Sequence, residues 1–307
     1  MKKILLLLFF VTSLACAKTH TLTVLLDWYV NPDHAPLLVA QQQGFFKEEG
    51  LSVKFVTPSN PEDGPKFVAA NRANIALTYQ PSLMLQVDQG LPVTRVGTLI
   101  NQPLNALVTL KQQGINRISD LKGRKIGYSV NAVSRAMLGT MLATDGLTLK
   151  DVNLINVHYA LTQGLLTRKI DAAVDMMRNV EVVEIEQLGY PVHVFYPERY
   201  GFPMYDELIF IANRDHLNQQ EIQKFLHAVQ KGVLYLKAHP VASWEESIKC
   251  YPELNNALMK KVWFNTIKYF DLRPAYLNKK RYQRLAEYMY QHHLIYKRFA
   301  LPSYTNS

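Results

Sequence analysis

The sequence contains little cysteine. Among its 307 residues there are only two, Cys16 and Cys250. Because Cys16 lies in a segment that we expect to be cleaved, the mature chain would keep one thiol and could form no intrachain disulfide. Paired-cysteine and HExxH spacings are absent, and His292 and His293 are adjacent, so they would diverge on a helix. These absences predict no metal site and a fold that depends on its hydrophobic core.

Sequence signatures of phosphate binding and covalent catalysis are also missing. The chain has 14 glycines, but they do not form the GxGxxG or Walker spacing. The segment GYSVNAVSR resembles a turn from strand to helix, where backbone N–H groups could bind an anion, but this signal is weak. No serine or cysteine stands out as a nucleophile. We therefore expect no cofactor and no catalytic residue.

Long apolar runs are missing except at the start of the chain. Residues 4–11 are apolar, but this run is too short to span a bilayer. Two lysines precede it and small residues follow it as far as Ala17, which is the pattern of a secretion signal. We expect cleavage after Ala17 and a periplasmic protein. The alternative is a lipid anchor on Cys16, although Ser13 stands where lipoprotein sites usually carry leucine.

Basic residues outnumber acidic residues, and they are spread along the chain. There are 34 lysines and arginines against 25 acidic residues, which gives a net charge of +9. The basic residues concentrate mainly at 279–284 and 297–298, a pattern more typical of a solvated helix face than of a binding patch. A secreted protein also rarely meets nucleic acid. We therefore expect no nucleic-acid partner.

The sequence does contain a regular alternation of strands and helices, which is typical of α/β folds with parallel βαβ units. Gly50 is placed to end the first predicted helix, residues 36–49, in a left-handed conformation. The predicted strands are residues 22–26, 51–56, 75–79, 93–99, 125–129, 152–157, 172–176, 192–196 and 207–212. The predicted helices are residues 36–49, 61–71, 81–89, 133–145, 161–168, 180–188, 219–238, 241–250, 257–271 and 279–292.

Two α/β stretches and a helical C-terminal segment predict two doubly wound lobes. We expect residues 18–104 and 207–307 to form one lobe and residues 105–206 to form the other. The chain would then cross twice between the lobes and make a two-stranded hinge. Ligands of such sheets bind beyond the carboxyl ends of the strands. The cleft between the lobes is therefore the candidate site, in a protein that we expect to be a monomer.

Polar and aromatic side chains recur in the loops after the predicted strands and in both crossings. Any one of these side chains could have a structural role alone. Core positions have no reason to be so polar, however, so the recurrence of polar side chains at successive strand ends favours a ligand site. Aromatic faces beside donors and acceptors suit a flat, neutral or weakly cationic heterocycle. His34 is the sharpest candidate, in a ligand-orienting rather than a catalytic role. The candidate ligand-binding residues are Asp27, Trp28, Asn31, His34, Tyr79, Gln80, Asn105, Ser129, Asn131, Arg178, Asn179, Glu181, Tyr205, Asp206 and Glu207.

Three segments carry a resemblance to a known family. Periplasmic solute-binding proteins of ABC importers contain segments similar to LLDWYVNPDHAPLLVAQQQGFFKEEGL, ISDLKGRKIGYS and YDELIFIANRD. The similarity is greatest to the branch that binds thiamine pyrimidine precursors, which is related to the thiamine-pyrimidine synthases. It implies a type II periplasmic-binding-protein fold, with Trp28, Asn31 and His34 at the pocket and residues 129–131 facing them from the other lobe.

The resemblance implies a receptor that binds a small pyrimidine and presents it to a membrane permease with its ATPase. The ligand would be of the hydroxymethylpyrimidine or formylaminopyrimidine type. Its exocyclic amine could donate to the carboxylate of Glu181, Asp206 or Glu207. Closure of the hinge would bury the ligand between the lobes.

Two alternatives remain at this point. The first is a synthase-like enzyme, but the family's synthases carry a lysine near the end of the third strand and a cysteine-rich run before the second crossing. This chain has Thr78 or Tyr79 at the first position and YGFPMYDELIF, without cysteine, at the second. The other alternative is a binding protein for riboflavin or an alkyl sulfonate. A sulfonate should need a basic group, for which Arg178 is the obvious candidate.

Overall fold

The computed structural model describes residues 20–306 and has an α/β architecture with two five-stranded sheets. The predicted signal peptide, residues 1–17, and Cys16 lie outside the described residues. The strands are β1 His20–Leu25, β2 Leu51–Val56, β3 Ile75–Thr78, β4 Val93–Ile100, β5 Asn105–Leu110, β6 Lys125–Tyr128, β7 Asn153–Asn156, β8 Ala172–Met177, β9 Val192–Phe195 and β10 Leu208–Asn213. The α-helices are α1 Ala35–Gln42, α2 Phe45–Glu48, α3 Asp63–Ala69, α4 Gln80–Asp88, α5 Asn131–Ala143, α6 Leu161–Leu166, α7 Glu181–Gln187, α8 Gln219–Ala238, α9 Pro240–Cys250, α10 Ala257–Thr266 and α11 Lys279–Gln291.

The two sheets share one topology. The first lobe contains the sheet β2-β1-β3-β10-β4, and the second lobe contains the sheet β7-β6-β8-β5-β9. In each sheet, the fourth strand of the order is the one that follows a crossing between the lobes: β5 follows the first crossing and β10 follows the second. The chain therefore crosses between the lobes twice, and the lobes are two doubly wound units joined by a two-stranded hinge.

The prediction of purely parallel units is wrong for the two inserted strands. Strand β10 runs antiparallel to β3 and β4, with Ile209 opposite Thr78, and β5 runs antiparallel to β8 and β9. The other pairs, β1 with β2 and β3, and β6 with β7 and β8, are parallel. Each inserted strand enters its sheet directly from the hinge rather than through a crossover helix, so it is free to run in the opposite direction.

Strand β5 is absent from the predicted strands. Its six residues are all buried, and no amphipathic alternation marks them. A 3₁₀-helix at Lys111–Gln113 follows instead of the α-helix that the βαβ pattern leads one to expect. A continuous apolar run is consistent with a fully buried strand, but periodicity alone cannot identify it.

The first predicted helix is divided in two. Gly44 has φ 76° and separates α1 from α2, and Gly50 has φ 74° and ends the second piece. Since glycine adopts positive φ without the penalty of a Cβ atom, each position allows a sharp change of direction. The predicted helix at 257–271 is also shorter, because α10 ends at Thr266 and a 3₁₀-helix, Ile267–Tyr269, follows.

The C-terminal helices pack on the first lobe. Helix α8 lies against α1 so closely that a Cβ atom on Gly232 would come within 2.3 Å of the carbonyl oxygen of Pro36. Trp244 of α9 and Trp263 of α10 are both buried and contact each other edge to face, with ring centroids 5.5 Å apart. None of the helices between residues 20 and 306 combines the length and the apolar composition needed to cross a membrane.

The two crossings of the hinge are bonded to each other. The side chain of Glu207 on the second crossing accepts hydrogen bonds from the backbone N–H groups of Leu104 and Asn105 on the first, the latter at 2.8 Å. Arg178 of the second lobe donates to the carbonyl oxygens of the same two residues at 3.2 and 3.0 Å. These bonds fix the strands that leave the hinge and thereby position the loops at the sheet ends.

Candidate functional site

A cavity lies between the lobes, at the carboxyl ends of the parallel strands. The centres of water-sized spheres can occupy about 20 Å³ of it, roughly the room for one water molecule, so a larger ligand requires the walls to move apart. We call it the interlobe cavity. Its walls are formed by Asp27, Trp28, Asn31, Asp33 and Tyr79 from the first lobe and by Asn105, Ser129, Val130, Val133, Asp175, Met177, Val180 and Glu181 from the second.

One wall is built around Asp27, which follows the first strand. Its Oδ1 lies 2.9 Å from Nε2 of His34, and its Oδ2 accepts from the Tyr79 hydroxyl at 2.9 Å. The Nδ1 atom of His34 accepts from the backbone N–H of Asn31, so its proton is on Nε2 and points to the carboxylate. The fully buried His34 thus orients Asp27 from behind, and Asp27 itself faces the cavity.

The neighbouring loop is ordered by Asn31. Its Oδ1 accepts from the N–H of Asp33 at 2.8 Å and caps the 3₁₀-helix Pro32–His34, and its Nδ2 donates to the carbonyl of Tyr29 at 2.9 Å. One amide hydrogen of Asn31 is left to face the cavity. Asp33 is buried, and burial raises the pKa of its carboxyl group to about 6, although a hydrogen bond from Asn179 opposes this change.

The facing wall contains Asp175 at an irregularity of β8. Its φ is 67°, in the left-handed region, and the register with β5 shifts there. Such bulges redirect a side chain. Oδ2 of Asp175 accepts from the N–H groups of Ser129 and Val130 at 2.9 Å each, at the start of α5, and Asn105 donates to Oδ1 at 3.2 Å. Burial raises the pKa of Asp175, and these donors oppose that effect.

Glu181 begins α7 at the edge of the cavity. Its Oε2 accepts from the backbone N–H of Met177 at 2.8 Å. Burial raises the pKa of its carboxyl group to about 8, and the nearby negative charge of Asp33 adds to this effect. A carboxyl group held in this way readily binds a cationic or proton-donating ligand, because such a ligand replaces the water that the carboxylate has lost.

An aromatic group covers the cavity on its open side. Trp28 contacts Tyr159 of the second lobe edge to face, with ring centroids 4.5 Å apart, and Tyr29 lies 4.4 Å from Tyr159. The hydroxyl of Tyr159 donates to the carbonyl oxygen of Pro58 in the first lobe at 2.8 Å. Trp28 therefore lines the cavity and also contacts a residue of the other lobe.

Seven of the fifteen candidate residues line the interlobe cavity, and the others lie elsewhere. His34 is buried behind Asp27, and Gln80 accepts from the backbone N–H of Asp206 within the protein. Tyr205 is buried and donates to Glu207. The remaining candidates outside the wall are Asn131, Arg178, Asn179, Asp206 and Glu207.

Arg178 and Asp206 are held by other protein groups. Arg178 forms a bidentate ion pair with Glu198, at 2.7 and 3.0 Å, beside its bonds to hinge carbonyls. Asp206 is bound by Arg281 of α11 and accepts from Thr98 at 2.9 Å. These groups brace the hinge region, and the structure does not bring them to the cavity.

Asn179 and Asn131 connect the lobes. Asn179 Nδ2 donates to Asp33 at 2.6 Å and to Thr266 of α10 at 2.8 Å, so an amide of the second lobe reaches into the first. The backbone N–H of Asn131 donates to Glu62 at 3.1 Å. With both bonds made, the lobes are in a closed arrangement around the cavity.

Sequence reasoning missed six of the lining residues: Asp33, Val130, Val133, Asp175, Met177 and Val180. Asp33 lies in the same loop as Asp27 and Asn31 but was not among the candidate residues. For Asp175 there was a signal, because one charged residue stands within the otherwise apolar strand AAVDMM. The apolar members had none, since nothing in their sequence distinguishes a cavity wall from a core.

The charge of the interlobe cavity is one-sided. Four carboxyl groups line it, and among residues 20–306 no lysine or arginine contributes to its wall. Against these four carboxyl groups, the wall contains two side-chain amides, those of Asn31 and Asn105. Within the same residues, no group of three or more histidine, cysteine or acidic side chains could hold a metal ion. The cavity therefore suits a small ligand that is rich in donors or positively charged.

Comparison with known proteins agrees with this architecture. The family model described as NMT1/THI5 like matches residues 31–243. The chain belongs to the NMT1/THI5-like family. The resemblance drawn from the sequence is thereby confirmed. Among its relatives, this NMT1/THI5-like protein is 43% identical over 284 residues to a putative thiamine biosynthesis protein of Haemophilus influenzae, with 92% of this chain and 90% of the relative covered.

Two further kinds of relative differ in what their names describe. A formylaminopyrimidine-binding protein of Halalkalibacterium halodurans is 32% identical, with 79% of this chain and 74% of the relative covered. A Saccharomyces cerevisiae protein named 4-amino-5-hydroxymethyl-2-methylpyrimidine phosphate synthase THI11 is 30% identical, with 82% and 78% covered. The family therefore includes both binding proteins and enzymes.

Among solved structures, this NMT1/THI5-like protein is similar in fold to the alkanesulfonate-binding protein SsuA of Xanthomonas axonopodis pv. citri. The TM-score is 0.73 with 14% sequence identity, and 93% of this chain and 98% of that chain are covered. This similarity confirms the periplasmic-binding-protein fold.

Proposed function

We propose that this protein is the solute-binding receptor of an ABC importer and that it binds a thiamine pyrimidine precursor in the interlobe cavity. The observation that carries the proposal is the acidic cavity, in which four carboxyl groups and two amides surround a space next to the Trp28 ring. An aminopyrimidine is flat, carries an exocyclic amine and gains a proton on a ring nitrogen. It therefore matches a wall with excess acceptors.

The proposed contacts to the ligand use the polar side-chain groups that line the cavity. Glu181 and Asp33 would accept from the exocyclic amine and a ring N–H, since both carboxyl groups line the cavity and burial raises the pKa of each. The spare amide hydrogens of Asn31 and Asn105 would donate to ring nitrogen or to a hydroxymethyl or formyl oxygen. Trp28 would contact the ring. Asp206 and Glu207, which the sequence also suggested for the amine, are held by Arg281 and by hinge N–H groups instead.

An alkanesulfonate does not fit this cavity. Its sulfonate would face four carboxyl groups without a basic side chain in the described wall, and Arg178 is already paired with Glu198. Placing an anion there would be strongly unfavourable in a site of low dielectric. The similarity in fold to a sulfonate-binding protein therefore does not extend to the charge of this cavity.

A synthase is the second candidate because relatives bear that name. Pyridoxal phosphate, which the synthases consume, would bring a phosphate to the same acidic wall, and within residues 20–306 no lysine lines the cavity. The test is an absorbance scan with added pyridoxal phosphate. An imine band that disappears when a lysine is replaced would support the enzyme, and an unchanged spectrum would support the receptor.

In the proposed receptor, the lobes meet between residues 104 and 105 and between residues 206 and 207. The protein would be exported to the periplasm by its N-terminal segment and would deliver the ligand to a permease and its ATPase. The direct test is mass spectrometry of the small molecule released from protein purified without refolding. We expect a pyrimidine with an exocyclic amine. Recovery of a sulfonate instead would contradict the proposal.

A further inference from the structure

A second and wider space opens outside the interlobe cavity. This outer groove has a volume of about 650 Å³ and lies between the loop at residues 28–31, helices α6 and α7, and the C-terminal part at 253–259. Trp28, Asn31, Val180 and Glu181 belong to the walls of both spaces. The two spaces are therefore neighbours, and a substituent on a ring held in the cavity would reach the outer groove by passing beside these residues.

The outer groove is acidic in a chain that is basic overall. Glu181, Glu184 and Glu253 line it, and no lysine, arginine or histidine of the described residues does so, although the chain carries a net charge of +9. One oxygen of Glu184 accepts from Thr162 at 2.8 Å, and Glu253 is exposed at the rim. The local field is thus opposite in sign to that of the molecule and attracts a cation.

Aromatic rings form the side of the groove nearest the cavity. Trp28, Tyr29 and Tyr159 contact one another there, and 53% of Tyr29 is exposed. The faces of such rings attract positively charged nitrogen groups. Apolar side chains, among them Leu161 and Leu188, complete the groove. Carboxylates beside aromatic faces on an apolar floor suit a cation that is itself flat and weakly hydrated.

We propose that the outer groove is a subsite for a positively charged nitrogen heterocycle attached to the ring in the interlobe cavity. The inference rests on the proposed function, because the cavity must hold the ring for a substituent to reach the groove. It extends the class of ligand from small pyrimidines to conjugates with a cationic second ring. A substituent with a net negative charge would be repelled by the carboxylates of Glu184 and Glu253.

The test uses calorimetry of the full chain with three probes: hydroxymethylpyrimidine, thiamine, and thiamine diphosphate. Thiamine joins an aminopyrimidine to a quaternary thiazolium ring, and the diphosphate adds negative charge. We expect thiamine to bind, to compete with hydroxymethylpyrimidine, and to bind more tightly than thiamine diphosphate. The double variant Glu184→Gln with Glu253→Gln should weaken thiamine about fivefold, the scale of two partly exposed charge pairs, and should leave hydroxymethylpyrimidine within about twofold.

Glu186→Gln is the matched control, because Glu186 is exposed on the same helix as Glu184 but does not line the groove. It should leave the affinity for thiamine unchanged. If hydroxymethylpyrimidine binds but thiamine does not, the inference fails and the proposed function stands. Equal losses of affinity for both probes in the double variant would also overturn the inference. If hydroxymethylpyrimidine itself does not bind to the folded wild type, the proposed function fails and the inference fails with it.

Discussion

At the scale of single residues, the carboxyl groups of the interlobe cavity are held in different ways. Asp27 is bonded on both oxygens, by His34 and Tyr79. Asp175 accepts from backbone N–H groups at the start of α5. Glu181, by contrast, accepts only from local backbone N–H groups, of Met177 and of Glu181 itself, among the described contacts and has its pKa raised to about 8 by burial. Asp27 and Asp175 are therefore fixed features of the wall, and Glu181 is the group most available to a ligand.

The raised pKa of Glu181 makes the stability of the ligand-free protein depend on pH. The folded state keeps a proton up to about pH 8 that the unfolded state releases near 4.5. Because the folded state binds more protons in this window, its stability falls as pH rises from about 4.5 to 8. We expect Glu181→Gln to remove part of this fall and to raise the Tm at pH 8 by a few degrees relative to wild type, on the order of 2 kcal/mol.

The measurement is thermal unfolding at pH 5, 6.5 and 8. Glu186→Gln, on the exposed side of the same helix, serves as the control and should follow the wild-type curve. If Glu181→Gln also followed the wild-type curve, Glu181 would be ionised in the folded protein at neutral pH. The raised pKa assigned to its carboxyl group would then be wrong.

The sequence predicted part of this wall and missed another part for a physical reason. Asp27, Trp28 and Asn31 were found because they follow a strand in a polar cluster that has no role in a core. Asp175 lies within its strand and reaches the cavity only because the strand bulges at a positive φ. Bulge positions depend on the pairing with β5, a strand that was itself missed, so the local sequence could not reveal them.

At the scale of elements, glycine positions show how tightly the helices are seated. Gly232 of α8 faces α1, where an added Cβ would come within 2.3 Å of a backbone oxygen of Pro36 and 3.0 Å of Ala40. Gly139 of α5 has only the side chain of Leu149 near it, at 3.8 Å. These two helical glycines differ in the space around them and make a matched pair.

Gly232→Ala should destabilise the protein by about 1–3 kcal/mol, because the backbone of α1 cannot move aside without disturbing the core. Gly139→Ala should be neutral or stabilising by up to about 1 kcal/mol, because alanine is the better helix former. Chemical denaturation of both variants tests this difference. Equal effects would mean that α8 and α1 do not pack at the distance described.

The order of strands and helices was largely predictable, because the hydrophobic pattern that identifies each element in the sequence also drives its packing in the fold. Strand and helix alternated as expected in both lobes, and α8 has the bounds predicted for it. The direction of β5 and β10 could not be predicted, because it depends on which sheet each strand joins after a crossing. The short link before β5, residues 101–104, contains no signal of that choice.

At the scale of the whole molecule, bonds between the lobes hold the cavity closed. Asn179 of the second lobe donates to Asp33 and Thr266 of the first. The Tyr288 hydroxyl donates to Thr140 across the same division at 2.8 Å. Asp33 also lines the cavity, so this residue contributes both to the bonds between the lobes and to the cavity wall.

Asn179→Ala should therefore weaken binding of hydroxymethylpyrimidine about tenfold, since it removes two buried interlobe bonds, one of them to Asp33 in the cavity wall. Asn153→Ala is the control, because Asn153 donates to Gly123 within the second lobe. Calorimetry of both variants gives the comparison. An affinity for Asn179→Ala that equals the wild-type value would show that these bonds do not contribute to closure around the ligand.

The central claim is that an acidic, aromatic-walled cavity between two lobes selects an aminopyrimidine over an anion. The most direct measurement is calorimetry of the wild type and of Trp28→Ala with hydroxymethylpyrimidine and with an alkanesulfonate. We predict that the pyrimidine binds, that the sulfonate does not, and that Trp28→Ala weakens the pyrimidine by about 1–3 kcal/mol through loss of its ring contact. Binding of the sulfonate without binding of the pyrimidine would contradict the account.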